Sequence, residues 1–355
     1  MKLFTPGPVN TSRYVKETIK DLASRDTEVI SIIQKIRTNL LKIANVNDDN
    51  YRATLFAGSG TYAIESCLTS SIPLDGKILI IENGKYGQRM IKIVQIHQIE
   101  YMILSYSSNE IINIEDIKQI LQHDKKITHI AMVYSETSSG ILNPVKEISN
   151  MARKYNKIMI VDAMSAFGGI PMNLENIDFT ISSSNKCIQG LPGISFIIGK
   201  IASINLCKIN TRTLSLDLYQ QEKCLEQLNQ FRFTPPIQII LAFDQAIKEL
   251  LEETVEKRYE RYQQNQQIVL KEITNIFTPY LDENKRGPIV TAFKYPKEDW
   301  WSFKIFYEKL KQKGNIIYPN FNTPFFRIGH IGDIQKDDVE KLVEDIKIIV
   351  EEMKN

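Results

Sequence analysis

Lys186 stands in the run Ser182-Ser183-Ser184-Asn185-Lys186-Cys187, directly after the apolar segment 178–181 and before Gly190 and Gly193. A lysine among small residues at the end of a buried strand is an odd choice for a surface charge. Partial desolvation there lowers its pKa and frees the amine as a nucleophile, the setting that a Schiff-base lysine requires. Taken alone, Lys186 still fits an ordinary loop lysine better. Asp162 ends the run Lys157-Ile158-Met159-Ile160-Val161-Asp162. Strand carboxyl ends in α/β sheets face the ligand crevice, where a carboxylate can keep the pyridine nitrogen of pyridoxal phosphate protonated. An aspartate that caps the following turn, Ala163-Met164-Ser165, is the competing reading.

Gly58-Ser59-Gly60-Thr61 follows the apolar segment 53–56 and opens the amphipathic stretch 62–70. Small residues at a strand-to-helix junction let backbone amides and hydroxyls converge on an anion. Glycine also serves a tight turn with no ligand. Continued by Tyr62-Ala63, the same residues fit the GxGxxA dinucleotide fingerprint, and Glu82 falls roughly 20 residues on, where an acidic ribose ligand belongs. Spacing alone therefore leaves an NAD-dependent oxidoreductase open. The combination favours another cofactor. A phosphate cup, then an Asp ending one strand, then a Lys ending one of the next is the order of a pyridoxal-phosphate site, and a dehydrogenase has no use for that pair.

These residues need a sheet to position them. From about residue 50 to 200, apolar runs at 53–56, 77–81, 101–104, 129–134, 158–162, 179–182 and 195–198 alternate with amphipathic stretches at 62–70, 87–96, 114–122 and 144–155. The alternation predicts an α/β fold with a mostly parallel central sheet covered on both faces. The last two strands lie close together around the Asn-Lys-Cys segment, so one edge of the sheet is expected to be antiparallel. Beyond it come helical patterns at 235–251 and 252–276, strand-like runs at 289–293, 316–318 and 325–328, and a terminal helix at 337–353. The expected division is an N-terminal arm at 1–12, stiffened by Thr5-Pro6-Gly7-Pro8, a large cofactor domain at 13–255 and a smaller α/β C-terminal domain at 256–355.

Composition narrows the partners. The 44 Lys+Arg nearly balance 42 Asp+Glu, with no basic patch to mark a nucleic-acid or membrane-surface binder. Cys67, Cys187, Cys207 and Cys224 form no CxxC pair, and His97, His123, His129 and His330 lack HExxH spacing, so no metal site is expected. Scattered thiols fit a reduced, cytoplasmic setting. No apolar run approaches the roughly 20 residues of a membrane span, and the amino terminus lacks a secretory apolar region.

The runs GSGTYAIES, ENGKYGQRM, SETSSGILNP, DAMSAFGGIPM, SSNKCIQGLPG, FRFTPP and FRIGHIGD resemble the 2-aminoethylphosphonate:pyruvate aminotransferases. These form part of the class V branch of fold-type I pyridoxal-phosphate enzymes, close to the alanine–glyoxylate aminotransferases. The match runs in order from Thr5 to Asp333, nearly the whole chain. The resemblance implies that Lys186 forms the Schiff base with pyridoxal 5′-phosphate and shuttles the proton, and that Asp162 pairs with the pyridinium nitrogen. It also implies that Ser59, Gly60 and Thr61 hold the cofactor phosphate, that the Tyr86 ring lies over the cofactor, and that Thr137 approaches its 3′-oxygen. Arg327 would receive the substrate anion, since a bidentate guanidinium suits carboxylate and phosphonate alike. Arg25 matches a substrate-side segment. Thr234 matches a residue that reaches a cofactor phosphate across a dimer interface, which implies a homodimer with shared sites. The implied reaction converts aminoethylphosphonate and pyruvate into phosphonoacetaldehyde and L-alanine. An alanine–glyoxylate or serine–pyruvate type aminotransferase is the same-fold alternative. Tyr134 stands where the family pattern has histidine and His330 where it has asparagine, both expected near the substrate pocket.

Overall fold

A computed structural model describes residues 1–318 and 323–355. The chain opens with β1 (Lys2–Phe4), α1 (Arg13–Glu17) and α2 (Thr27–Ile43). An alternating series follows: β2 (Tyr51–Ala57), α3 (Gly60–Ser71), β3 (Lys77–Glu82), α4 (Lys85–Ile96), β4 (Glu100–Ser105), α5 (Ile114–His123) and β5 (Ile127–Val133). A small hairpin, β6 (Ser135–Glu136) and β7 (Ile141–Leu142), precedes α6 (Val145–Lys154), β8 (Ile158–Asp162), β9 (Phe179–Ser183) and β10 (Ile194–Lys200). Helices α7 (Ile201–Leu206), α8 (Leu218–Leu228), α9 (Ile237–Glu253) and α10 (Val255–Ile273) come next. The chain finishes with β11 (Val290–Lys294), α11 (Phe303–Gln312), β12 (Asn315–Ile317), β13 (Phe325–Gly329) and α12 (Lys336–Lys354).

Seven strands form one sheet in the order β2-β10-β9-β8-β5-β3-β4. Successive side chains of a strand point to opposite faces, and β3 shows both faces covered. Ile78 and Ile80 pack with Ala63, Ile64, Met90 and Ile93 of α3 and α4. Leu79 and Ile81 join Ile33, Ile36, Ile117 and Ile148 of α2, α5 and α6. All four β3 residues are essentially without exposure, as expected of a sheet with helices on both sides. The reversed strand is not at the edge. β10 runs antiparallel to both β9 and β2, and β2 is the edge. The hairpin between β9 and β10 was legible, but the insertion of β10 beside the sequence-distant β2 was not.

Helices α2 and α8 lie outside the stretches singled out by amphipathic pattern. Both carry an N-terminal cap: Asp26 accepts from Glu28 N, and Asp217 from Gln220 N, satisfying amides with no intrahelical partner. The helical patterns at 235–251 and 252–276 appear as α9 and α10, and the break between them falls at Thr254, whose φ is 72°. The C-terminal elements gather around an aromatic cluster of Phe277, Phe293, Phe306 and Phe326, and Phe4 from β1 is buried in the same cluster. β1 pairs in parallel with β12, so the arm docks on the C-terminal elements rather than standing free. Among the described residues no helix is long and apolar enough to cross a membrane.

His129 and His330 are both buried, and burial holds their imidazoles down at about 3 against an ordinary 6.5. The unfolded chain therefore binds more protons than the folded one between pH 6.5 and about 3, and stability falls as pH drops through that window. Urea midpoints should decline steadily from pH 6.5 to 4. His330→Gln should flatten that decline, and an unchanged slope would refute the assignment.

Candidate active site

Parallel pairing of β8 with β9, in register at Asp162↔Ile181, puts both carboxyl ends on one sheet edge. Asp162 ends β8, and Lys186 lies in the turn just beyond β9. Gly190 N donates to Ser184 O (2.7 Å) and Gln189 N to Lys186 O (2.9 Å), which closes that turn. Helix α10 supports it from behind: Arg258 Nη1 donates to Cys187 O at 2.6 Å, and Gln189 Nε2 to the Tyr262 hydroxyl at 2.7 Å. The reversed β10 brings in the third element. Its first residue pairs with Ala57, and Gly58 N donates to Gly193 O at 2.8 Å, so the Ser59-Gly60-Thr61 turn meets the Lys186 turn.

A cavity of about 250 Å³ opens there, lined by Ser59, Gly60, Thr61, Tyr86, Asp162 and Lys186 among others. A larger cavity of about 620 Å³, between Ala44, Phe167, Pro171 and Leu250, contains none of these residues. Asp162 is buried and accepts from Met164 N at 2.9 Å through Oδ1. Burial raises its pKa to about 6, with Glu136 adding to the rise and Arg89 and Lys186 opposing it. Burial lowers the Lys186 amine to about 8. Desolvation disfavours the charged form of each group, so a nucleophilic amine becomes accessible near neutral pH beside a carboxylate that remains mostly ionised. Helix α3 begins at Gly60 with no side-chain cap from Ser59. Its free amides and partial positive charge face this turn, which suits an anion.

Around the cavity, Tyr86 rises from the first turn of α4 beside Thr137, whose side chain hydrogen-bonds it. Arg327 on β13 donates from Nη1 to Thr137 O at 2.7 Å, and its guanidinium lies 4.8 Å from the Tyr318 ring centre. Tyr318 lines the cavity. Arg327 is buried, and its Nε has no partner among the described residues. An unpartnered buried donor costs stability unless something accepts from it, which suits an arriving anion.

The structure does not bring every expected residue together. Thr234 is exposed and lines a separate cavity with Phe56, Tyr62 and Phe233. Arg25 is exposed in the turn before α2 and does not line the Lys186 cavity. Tyr134 lines a different cavity with Val145, Pro171 and Met172, because it leaves β5 on the face opposite to Ser135 and its neighbours. His330 is fully buried, with Nε2 2.8 Å from Thr291 Oγ1. Neither residue borders the Lys186 cavity, contrary to expectation. Conversely, three contributors were missed. Arg89 donates to Thr61 Oγ1 at 3.1 Å and covers the Tyr86 ring at 5.0 Å; its place three residues after Tyr86 on a helix was a usable signal. Glu136 is wholly buried and accepts from Tyr86 N and Ser138 N, each at 3.0 Å, thereby fixing the first turn of α4. Pro6 O accepts from Lys186 Nζ at 2.9 Å, a contact no local pattern announces.

Residues 11–314 match the family described as Aminotransferase class-V. The chain is 42% identical over 352 residues to the 2-aminoethylphosphonate–pyruvate transaminase of Bacillus cereus (strain G9842), covering 97% of this chain and 96% of that one. It is 43% identical over 351 residues to the same-named protein of Bacillus cytotoxicus, covering 96% of each chain. It is also 42% identical to a bifunctional phosphonoacetaldehyde hydrolase/aminoethylphosphonate transaminase of Clostridioides difficile (strain 630), but spans only 56% of that longer protein. The solved ureidoglycine–glyoxylate aminotransferase of Bacillus subtilis superimposes with a TM-score of 0.91 at 22% identity, covering 99% of this chain and 93% of that one. The fold is thus that of the fold-type I aminotransferases, as the alternating pattern and the motif order led one to expect. By the family match and by near-full-length identity above 40%, the chain belongs to the class V aminotransferase family.

Proposed function

We propose that this chain transfers the amino group of 2-aminoethylphosphonate to pyruvate, yielding phosphonoacetaldehyde and L-alanine, with pyridoxal 5′-phosphate as cofactor. The observation that carries this reading is the identity of about 42% to same-named transaminases over nearly the whole of both chains. The residues fit the cofactor. The uncapped start of α3 at Ser59, Gly60 and Thr61 suits its phosphate, and Asp162 suits a protonated ring nitrogen. Lys186 supplies an amine of lowered pKa in the same cavity. When bound, pyridoxal phosphate supplies a carbonyl carbon and an electron-accepting ring.

The protein's own groups then divide the work. Lys186 Nζ would be the base that takes a proton from the amine-bearing substrate carbon and the acid that returns it on the other side of the transfer. Asp162 holds the proton at the ring nitrogen. Arg327 binds the substrate anion, phosphonate in one half-reaction and carboxylate in the other, with its unpartnered Nε as a ready donor. Tyr86, held in place by Glu136 and covered by Arg89, walls one side of the cavity, and Thr137 is assigned to the cofactor's 3′-oxygen. The glycine fingerprint serves the phosphate rather than a dinucleotide. The Glu82 carboxylate is occupied locally, accepting from Ser105 Oγ at 2.6 Å and Gly84 N at 3.2 Å.

The working unit is a homodimer in this reading. Thr234 lines a cavity with the exposed apolar side chains Tyr62 and Phe233, and such apolar surface beside α3 suits an interaction site from which Thr234 would reach the partner's cofactor phosphate. Arg25 stays outside the cavity of its own chain and is left without a part in this reaction scheme. The chain divides into an arm at 1–12, a large domain to 255 and a small domain beyond, with the break at Thr254. Three buried free cysteines, Cys67, Cys187 and Cys207, suit the reducing cytoplasm.

Mixing the protein with pyridoxal phosphate, aminoethylphosphonate and pyruvate should produce alanine and phosphonoacetaldehyde in equal amounts. Faster turnover of serine or alanine with glyoxylate would sink the substrate assignment in favour of the same-fold alternative. Arg327→Lys should raise KM for both substrates by about tenfold or more, from the loss of a charge-assisted hydrogen bond worth roughly 1.5–3 kcal/mol. Capture of pyridoxal phosphate by the cofactor-free protein, followed by absorbance, should accelerate with pH to a midpoint near 8 rather than 10.5. Lys186→Ala should abolish that absorbance change and slow transfer by about 100- to 10,000-fold; a variant that kept both would refute the role of Lys186.

A further inference from the structure

The amino-terminal arm enters the cavity, and neither the composition nor the reaction scheme above gives it a task. Its Pro6 carbonyl accepts from Lys186 Nζ at 2.9 Å across 180 residues of sequence. Gly7, with φ of +124°, leaves the room for this contact, since a Cβ at that position would lie 2.4 Å from Nζ. The turn is tied internally: Thr5 Oγ1 donates to Pro8 O at 2.6 Å and accepts from Gly7 N at 3.4 Å. It is also held from outside. The Thr5 backbone lies so close to Gly329 that a Cβ there would meet it at 2.4 Å, two residues beyond Arg327. Farther along, Asp333 N donates to Asn10 O at 2.9 Å.

Resting on the proposed function, we infer that the Pro6 carbonyl is the parking acceptor of the Lys186 amine, which it holds in the cofactor-free and pyridoxamine forms, when that nitrogen is neither joined to the cofactor nor moving a proton. A free lysine amine carries two or three hydrogens to donate. Joined to the carbonyl carbon of pyridoxal phosphate, with loss of water, the nitrogen keeps one at most and leaves the arm. Pyridoxamine phosphate has no carbonyl carbon, so with it Lys186 remains parked. The contact therefore stabilises the cofactor-free and pyridoxamine forms equally, and opposes the pyridoxal form. It holds the lysine away from the reacting carbon only between half-reactions, before Nζ takes up its proton transfer.

The sign of this effect separates it from mere damage. Loss of the parking contact should favour pyridoxal phosphate relative to pyridoxamine phosphate, whereas a distorted pocket weakens both. The test is equilibrium dialysis of each cofactor form against full-length, cofactor-free protein carrying Thr5→Val, Thr5→Ser or Gly7→Ala. Thr5→Val removes the hydroxyl that ties the turn, and Gly7→Ala places a methyl against Nζ. The ratio of the pyridoxal to the pyridoxamine Kd should fall about threefold to tenfold in both, the range of one hydrogen bond, and Thr5→Ser should restore it. If the wild type binds both forms and the ratio is unmoved or rises in Thr5→Val and Gly7→Ala, this inference fails alone. If the wild type binds neither form, the proposed function falls and this inference with it.

Discussion

The whole arrangement depends on putting an ammonium-forming lysine and a carboxylate into the same cavity without letting them neutralise each other. Asp162 and Lys186 take other partners than each other: Asp162 accepts from Met164 N, and Lys186 donates to Pro6 O. Each pays its desolvation separately, and the pKa values move toward one another, to about 6 and about 8. A direct ion pair would have pushed them apart and left the amine inert at neutral pH. The parallel register of β8 and β9 holds both groups at one edge while their turns give the side chains different backbone partners, a donor for Asp162 and an acceptor for Lys186.

The C-terminal elements complete the site from the other side. β13 carries Arg327 to the Thr137 carbonyl, and β1 rides on the same elements through its pairing with β12. Arg327 and the Pro6–Gly7 turn are therefore positioned together on the same elements. Helix α10 ties them back to the large sheet, since Arg258 grips Cys187 O and Arg261 Nη1 donates to Gly332 O and Ile334 O, each at 3.0 Å.

Much of this was legible in the sequence because local patterns report it. β8 was expected at 158–162 and occupies Ile158–Asp162, since a short apolar run between polar neighbours has little freedom at its ends. The position of Lys186 beyond a buried strand followed from the same logic. What escaped was long-range. The neighbour of β10 is β2, about 140 residues earlier, and the acceptor for Lys186 is 180 residues away. No periodicity encodes such partners. Tyr134 and His330 were misplaced for a different reason: proximity along the chain to Ser135 and Arg327 says nothing of which face a side chain takes, and alternation sends residues an odd number of positions apart to opposite sides.

The reversal of β10 has a bearing on assembly in time. Because it wedges between β9 and β2, the Ser59 turn cannot meet the Lys186 turn until the chain through Lys200 has been collected into the sheet. Contacts of such sequence separation form late, after their loop entropy has been met. A ligand that recognised the joined turns would bind the finished sheet and not its fragments, and would draw the folding equilibrium toward completion by mass action.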